Sequence, residues 1–183
     1  GGQHENPGWP IWQCAAGRCA AIIAEIGANA ARDAVVFGFA ETATGLGHCV
    51  AARLDAAVYL QSTRRPGAVV HGEFTEGHSH ATSHLVQPTS PDLLSAADTL
   101  VLVDDEISTG ATALDSIRAL HGLAPHRRYV VASLVDLRSP EHVEDNARAA
   151  AAAGLDVAFV ALAHGTVDLP DGLPARVADL PAT

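Results

Sequence analysis

The stretch from Val101 to Thr112 constrains the fold more than any other part of the chain. An apolar run is followed there by two carboxylates, Asp104 and Asp105, and then by a small, hydroxyl-rich loop at residues 108–112. The apolar run predicts a buried strand of an open α/β sheet, and the carboxyl end of such a strand is the usual ligand crevice. Carboxylates in this position can accept hydrogen bonds from the vicinal hydroxyls of a ribose. The loop opens a predicted helix, so its backbone N–H groups suit a dianionic phosphate.

This segment resembles the phosphoribosyl pyrophosphate (PRPP) binding motif of type I phosphoribosyltransferases, which consists of a hydrophobic strand, Asp-Asp, three residues and Thr-Gly-x-Thr. The match contains no gap. The resemblance implies that Asp104 and Asp105 orient the ribose hydroxyls and take part in catalysis. It also implies that the following loop holds the 5′-phosphate of PRPP. The loop residues are Ser108, Thr109, Gly110, Ala111 and Thr112.

Other interpretations share parts of the segment. An apolar strand that ends in Asp-Asp-Glu is also typical of a Walker B strand, and an acidic pair occurs in phospho-acceptor receiver domains. All 11 basic residues are Arg, so the sequence has no Lys for a G-x-x-x-x-G-K-[ST] loop or for a receiver site. A surface turn after a core strand is the remaining alternative.

Size and charge limit the kinds of partner. With 183 residues, 48% of them hydrophobic, the chain predicts a single domain spanning residues 1–183. A net charge of −10 argues against nucleic acid or an anionic membrane as the main partner. An anionic ligand must then be neutralised locally, by clustered Arg, helix N-termini and a divalent cation such as Mg²⁺.

Cysteine usage and hydropathy predict the location. Three Cys without C-x-x-C spacing indicate neither a disulfide framework nor a thiol-rich zinc site, which favours a reducing cytoplasm. The most apolar stretch, residues 149–163, is too short and interrupted to span a bilayer, and no secretory signal is visible. The sequence begins Gly1-Gly2 and lacks Met, so we expect residues 1–6 to be linker and leave open an upstream segment.

Apolar β-rich runs alternate with Ala-rich helical stretches, which predicts an α/β fold with a mostly parallel, five-stranded sheet flanked by helices. We place strands at residues 34–39, 57–61, 99–103, 129–135 and 157–162, and helices at residues 14–31, 46–54, 111–121 and 140–153. Residues 62–91 interrupt the alternation, and a loop this long inside a compact domain is usually functional. The resemblance implies a flexible hairpin that closes over the active site there, with a linker or truncated hood at residues 1–13. The tail after His164 is either a hood element or a frayed end.

A second phosphate-binding candidate lies between Phe37 and Gly47, where another predicted strand enters a small-residue loop that opens a helix. The resemblance implies that this loop grips pyrophosphate, often through backbone amides. The predicted pyrophosphate-binding residues are Glu41, Thr42, Ala43, Thr44 and Gly45. Gly and Thr are also ordinary turn residues, which is the alternative.

Arg64 and Arg65 begin the long loop, where the resembled enzymes place basic residues that reach the leaving pyrophosphate. Guanidinium groups suit phosphate oxygens, and the alternative is a solvated surface pair. The next part of the loop is rich in His. The cluster supplies a general acid/base or pyrophosphate ligand on loop closure, or binds a transition metal, or is an exposed hairpin without chemistry. We take His71 as the catalytic candidate and His78, His80 and His84 as further candidates.

These segments together resemble the phosphoribosyltransferase-like branch found with tellurium-resistance and stress-response gene clusters in bacteria. The resemblance implies a Mg²⁺-dependent pentosyltransferase of nucleotide metabolism that transfers ribose 5-phosphate from PRPP to an unidentified nitrogenous base and releases pyrophosphate. Asp104 and Asp105 would act on Mg²⁺ indirectly, through the ribose and PRPP. Relatives are often homodimers. Trp9, Trp12 and residues 164–173 are candidates for base contacts. The rival hypotheses are a non-catalytic PRPP or nucleotide sensor and a metal-binding module.

Overall fold

The computed structural model describes residues 33–75 and 83–167. The predicted helix at residues 14–31, both Trp residues, His78 and His80 lie outside the described residues, as does the tail after residue 167.

The described residues form eight strands and three α-helices. The strands are β1 (Ala34–Gly38), β2 (Val58–Thr63), β3 (Gly72–Thr75), β4 (Ser83–Val86), β5 (Thr99–Val103), β6 (Glu106–Ile107), β7 (Arg128–Asp136) and β8 (Val157–His164). The helices are α1 (Thr44–Leu54), α2 (Ala111–Leu123) and α3 (Pro140–Ala152), with a 3-10 turn at Pro91–Leu93. Within the described ranges, no helix is long and apolar enough to cross a membrane.

All eight strands belong to one sheet. Its centre is parallel, in the order β2-β1-β5-β7-β8, which confirms the predicted five-stranded α/β core. Phe37 of β1 shows the register, since it lies opposite Leu60 of β2 on one side and Leu102 of β5 on the other. Strands β3 and β4 extend the sheet beyond β2 as an antiparallel hairpin. The short β6 pairs with the end of β7.

The central strands are buried on both faces, which explains their continuous apolar runs. On one face, Val35 and Phe37 pack in a cluster with Leu114 and Ile117 of α2. On the other face, Val36 packs in a cluster with residues of α1. Because the parallel strands end at the same edge of the sheet, the loops after β1 and β5 meet there.

The interval from residue 62 to residue 91 contains more regular structure than a loop. Ser62 and Thr63 end β2, and the β3–β4 hairpin occupies the middle of the interval. Phe74 and His84 of this hairpin are buried, whereas residues 64–70 are exposed. The base of the predicted active-site hairpin is therefore part of the sheet and its core.

Candidate active site

The acidic pair follows β5 directly. Asp104 donates its backbone N–H to the carbonyl oxygen of Ala132 at 3.0 Å, which continues the pairing with β7. The Oδ1 atom of Asp104 accepts the backbone N–H of Asp105 at 3.0 Å. Both side chains are half-buried. The two carboxylates are thus held at the edge of the sheet.

The loop at residues 108–112 leads into α2, and Gly110 is the residue that precedes the helix. Its φ of 80° is the left-handed conformation that favours glycine. The Thr109 hydroxyl oxygen accepts the backbone N–H of Ala111 at 3.3 Å. The first N–H groups of a helix have no partner within the helix and carry partial positive charge. The loop therefore lies at the N-terminus of α2, and its hydroxyl groups lie in the same segment.

A buried ion pair lies beneath this loop, and the sequence analysis did not identify it. Arg138 donates to both carboxylate oxygens of Asp136, with Nη2 2.7 Å from Oδ2, and each side chain is about 6–7% exposed. Its Nη1 donates to Oδ1 of Asn146 on α3 at 3.1 Å, and its guanidinium lies 3.7 Å above the centre of the Phe159 ring. Burial alone would raise the pKa of Asp136, but the hydrogen bonds and charge of Arg138, with the charge of His164, lower it below its ordinary value.

The loop after β1 is held by a tyrosine. The Tyr59 hydroxyl donates to the carbonyl oxygen of Thr44 at 2.6 Å, at the first residue of α1. Burial, with a smaller effect of Cys49, raises the pKa of Tyr59 to about 12, so the hydroxyl keeps its proton. Gly38 leaves room for this contact, since a Cβ there would lie 2.8 Å from the Tyr59 oxygen. The sequence analysis did not identify Tyr59 either.

The two loops meet in one contact. The Thr42 hydroxyl donates to Oδ1 of Asp105 at 3.2 Å. Within its own loop, the Thr44 hydroxyl donates to the carbonyl oxygen of Glu41 at 3.0 Å, and the peptide bond between Ala40 and Glu41 is cis. Residues that are 63 positions apart in sequence thus share one site.

An open pocket of about 260 Å³ lies between the two loops. It brings together six of the seven predicted ribose and 5′-phosphate residues with Arg64 and with Thr42, one of the five predicted pyrophosphate residues. Its lining consists of Ala40, Thr42, Arg64, Asp104, Asp105, Glu106, Ile107, Ser108, Thr109, Gly110, Thr112 and Ala113.

Other predicted site residues lie elsewhere. Arg65, His71 and His84 are not part of the pocket lining in the described chain. The same holds for five predicted phosphate-binding residues, which are Glu41, Ala43, Thr44, Gly45 and Ala111. Arg65 is exposed and donates its backbone N–H to the Thr63 hydroxyl at 3.1 Å. His71 is half-buried and its backbone N–H donates to the carbonyl of Val86 at 2.9 Å. His84 is fully buried.

Glu106 is a pocket residue that the motif did not mark. It pairs with Val135 of β7, and the next residue, Ile107, is buried in the core. Because side chains alternate along a strand, Glu106 points away from that core cluster, and it is exposed. In the sequence, only its position directly after Asp104 and Asp105 indicated that Glu106 could belong to the site.

Mg²⁺ fits the chemistry of the site. Residues 33–75 and 83–167 contain no group of three or more His, Cys, Asp or Glu side chains that would hold a metal ion alone. Mg²⁺ is usually bound through one or two carboxylates together with substrate phosphates and water. Asp104 and Asp105, beside the Thr42 hydroxyl, supply oxygen donors of this kind.

The fold and the two loops define an α/β protein with an open pocket of carboxylates, hydroxyls and one arginine at the carboxyl edge of its sheet. The chain belongs to the phosphoribosyl transferase family, whose model matches residues 9–166. The prediction of a phosphoribosyltransferase enzyme is therefore confirmed at the level of the family.

Solved structures support the same fold. The adenine phosphoribosyl transferase of Trypanosoma brucei, in complex with AMP, pyrophosphate and ribose-5-phosphate, is 15% identical with a TM-score of 0.57, over 88% of this chain and 76% of that chain. The APRTase of Giardia lamblia, complexed with 9-deazaadenine, is 15% identical with a TM-score of 0.60, over 83% and 80%. The adenine phosphoribosyltransferase of Rhodothermus marinus is 19% identical with a TM-score of 0.58, over 81% and 78%. No curated protein matches the chain by sequence.

Proposed function

We propose that this enzyme transfers ribose 5-phosphate from PRPP to a nitrogenous base, with Mg²⁺ as cofactor and release of pyrophosphate. The observation that carries the proposal is the contact between the Thr42 hydroxyl and Asp105 at 3.2 Å. It brings the predicted pyrophosphate loop against the predicted ribose carboxylates in one pocket. A ligand with phosphate groups at both ends of a ribose matches this arrangement.

The proposed reaction depends on the positioning of its reactants more than on covalent catalysis. A lone pair of the base nitrogen forms the bond to ribose C1, the bond from C1 to the pyrophosphate oxygen breaks, and pyrophosphate leaves with that electron pair. The nitrogen then gives up its proton, if it carries one, to solvent or to a nearby base. Positive charge grows on the ribose in such an oxocarbenium-like transition state. Carboxylates held beside it stabilise that charge.

Each group of residues has a role in this proposal. Asp104 and Asp105 bind the ribose hydroxyls and favour the positive charge. Residues 108–112 bind the 5′-phosphate through helix N–H groups and hydroxyls. Residues 41–45 bind pyrophosphate, and Arg64, which lines the pocket, stabilises it as it leaves. Arg65 and His71 act only on closure of the hairpin.

Bound Mg²⁺ would neutralise charge on the pyrophosphate as it departs. In this proposal, Asp104 and Asp105 would hold it indirectly, through the ribose and the PRPP oxygens, with the Thr42 hydroxyl beside them. The ligands in the trypanosome enzyme, AMP, pyrophosphate and ribose-5-phosphate, are of the kind that this reaction would produce or bind.

We also propose that the base enters the pocket beside Glu106. The pyrophosphate loop follows β1, the carboxylate pair follows the adjacent β5, and Glu106 lies beyond them, paired with β7. Nucleophile and leaving group lie on opposite sides of C1 in an in-line displacement. The proposal places Glu106 on the acceptor side, where its carboxylate would suit a base that presents N–H donors.

We also propose that the chain belongs to the branch associated with tellurium-resistance and stress-response gene clusters, and that it acts in the cytoplasm as a homodimer. Motifs that include Ala40–Gly47 and Thr63–Arg65 support the first assignment. Light scattering at several protein concentrations tests the dimer.

Calorimetric titration with PRPP, with and without Mg²⁺, tests the proposed function. We expect Mg²⁺-dependent binding, followed by pyrophosphate release when a suitable base from a panel is added. Asp92→Asn, a change of an exposed carboxylate that does not line the pocket, is the matched control and should bind normally. Binding without turnover of any base would favour the sensor. Absence of PRPP binding would overturn the proposal.

A further inference from the structure

A fully buried histidine connects the hairpin to the rest of the site. His84 of β4 is 0% exposed. Its ring stacks on Phe74 of β3, with 4.9 Å between ring centres and 14° between ring planes, and meets Phe39 edge to face. Its Nδ1 atom lies 2.9 Å from the Ser62 hydroxyl oxygen. A buried polar ring is retained only where a partner compensates the loss of water, and Ser62 is such a partner.

Ser62 also forms a hydrogen bond at the start of the pyrophosphate loop. The Ser62 side chain is 1% exposed, and its hydroxyl oxygen accepts the backbone N–H of Ala40 at 2.8 Å. Ala40 immediately precedes Glu41, the first residue of that loop, and Ala40 itself lines the pocket. A chain of two hydrogen bonds therefore runs from the hairpin through the end of β2 to the pocket wall.

We infer that Ser62 and His84 are positioning residues that fix the pyrophosphate loop to the active-site hairpin through the N–H of Ala40. The inference rests on the proposed function of this pocket. Whichever atom donates, the contact of 2.9 Å with Nδ1 of His84 holds the Ser62 hydroxyl oxygen in place. The Ser62 oxygen then holds the Ala40 peptide, and with it the entry into residues 41–45.

In this inference, His84 positions the loop and does not act as a metal ligand or an acid/base. The Nδ1 atom is engaged with Ser62 and the ring has no exposed surface, so the side chain cannot reach a ligand in the pocket. In this inference, the effect of His84 on the pocket passes through Ser62 and Ala40. Loss of this tether should affect the pyrophosphate end of the ligand and spare the 5′-phosphate end, since residues 108–112 have separate contacts, within the loop and with Asn146 of α3.

The test uses the full chain and four variants. Ser62→Ala removes the central hydroxyl, and His84→Phe keeps a stacking ring but removes Nδ1. His84→Asn restores a polar group near the position of Nδ1. Phe74→Leu, the control, disturbs the ring stack and leaves the hydrogen bonds in place. Calorimetry gives the dissociation constants for Mg²⁺-pyrophosphate and for ribose 5-phosphate, and hydrogen exchange reports on residues 39–44.

We expect Ser62→Ala and His84→Phe to weaken pyrophosphate binding about tenfold. A change of this size lies near the upper end of what one hydrogen bond contributes. Ribose 5-phosphate binding should change less than about twofold, and exchange at residues 39–44 should become faster. His84→Asn should recover most of the loss, and Phe74→Leu should bind pyrophosphate as the wild type does.

Equal loss of both ligands, or unchanged pyrophosphate binding, would overturn the inference. If the wild type binds neither ligand, the proposed function fails first. Hydrogen exchange then still tests the tether, because unchanged exchange at residues 39–44 in Ser62→Ala would show that it does not hold the loop.

Discussion

The side-chain oxygen of Asn146 lies only 2.0 Å from the point that a Cβ atom on Gly110 would occupy. Asn146 belongs to α3 and is 7% exposed, whereas Gly110 lies at the start of α2 in the candidate phosphate loop. The loop is thus in direct contact with α3, and the Asn146 oxygen is held in turn by Arg138.

Gly110→Ala should therefore damage the phosphate loop. The new methyl group would meet Asn146, and the φ of 80° disfavours any side chain. We expect a loss of about 1–3 kcal/mol in the free energy of unfolding and at least tenfold weaker binding of ribose 5-phosphate, measured by denaturant titration and calorimetry.

Gly122→Ala is the matched control, since Gly122 lies in the same helix and a Cβ there meets nothing within 4 Å. This variant should be unchanged or slightly more stable. If Gly110→Ala behaved like Gly122→Ala, the close contact with α3 would have no role in shaping the loop.

Arg138→Met should destabilise the protein strongly, because it would leave the Asp136 carboxylate buried without its partner. Breaking a buried pair in this way costs about 3–5 kcal/mol. Arg148→Met removes an exposed Arg that pairs with Asp145 and should cost at most about 1 kcal/mol. Urea unfolding of the two variants at pH 7 checks the comparison, and similar values for both would contradict the role of the buried pair.

The parallel core could be predicted because its strands carry a simple signal. Apolar runs bounded by turn residues indicated five strands. For β5, the predicted limits, residues 99–103, are the same as those in the structure. The gapless motif likewise predicted a loop that the structure places in one pocket with Thr42 and Arg64.

The supporting residues could not be predicted in the same way. Asp136, Arg138 and Asn146 are polar residues of kinds that normally face solvent, and nothing in their spacing shows that they meet in the core. His84 belonged to a polar, His-rich segment, yet it is buried. Its burial depends on long-range contacts with Phe39 and Ser62, which local patterns do not reveal.

The stability of the fold should fall in mildly acidic solution because of His126. This side chain is 6% exposed, and burial lowers its pKa, with a smaller lowering from His121 and opposing effects that include Asp98. The unfolded chain then binds a proton near pH 6.5, where the folded chain does not. Stability is therefore complete above about pH 6.5 and decreases as the pH falls towards the folded-state pKa.

His126→Leu should flatten this dependence, as measured by urea unfolding between about pH 7 and pH 5. His48→Gln, a change at an exposed histidine, is the control and should keep the wild-type slope. If the stability of His126→Leu depended on pH as strongly as that of the wild type, another group would be the cause of the pH dependence.

Replacing Asp104 and Asp105 together by Asn should abolish turnover and leave the fold intact. An Asn at position 104 still offers the oxygen that accepts the Asp105 N–H, so the change removes charge more than geometry. We expect a decrease of at least about a hundredfold in pyrophosphate release, with a normal unfolding midpoint. Retained activity would remove both residues from the mechanism.

Glu106→Gln should change which base is accepted without changing the binding of PRPP. Residues 108–112 and 41–45 would still hold the two phosphate ends, whereas the acceptor side would lose its negative charge. A hydrogen bond to a charged group contributes about 1.5–3 kcal/mol, so kcat/KM should fall at least tenfold for bases with an amino edge, such as adenine. Bases with a carbonyl edge, such as hypoxanthine, should lose less, because a carboxylate repels that oxygen. Steady-state kinetics with both bases, beside calorimetry with PRPP, separates the two effects, and equal losses for both bases would place Glu106 outside the acceptor site.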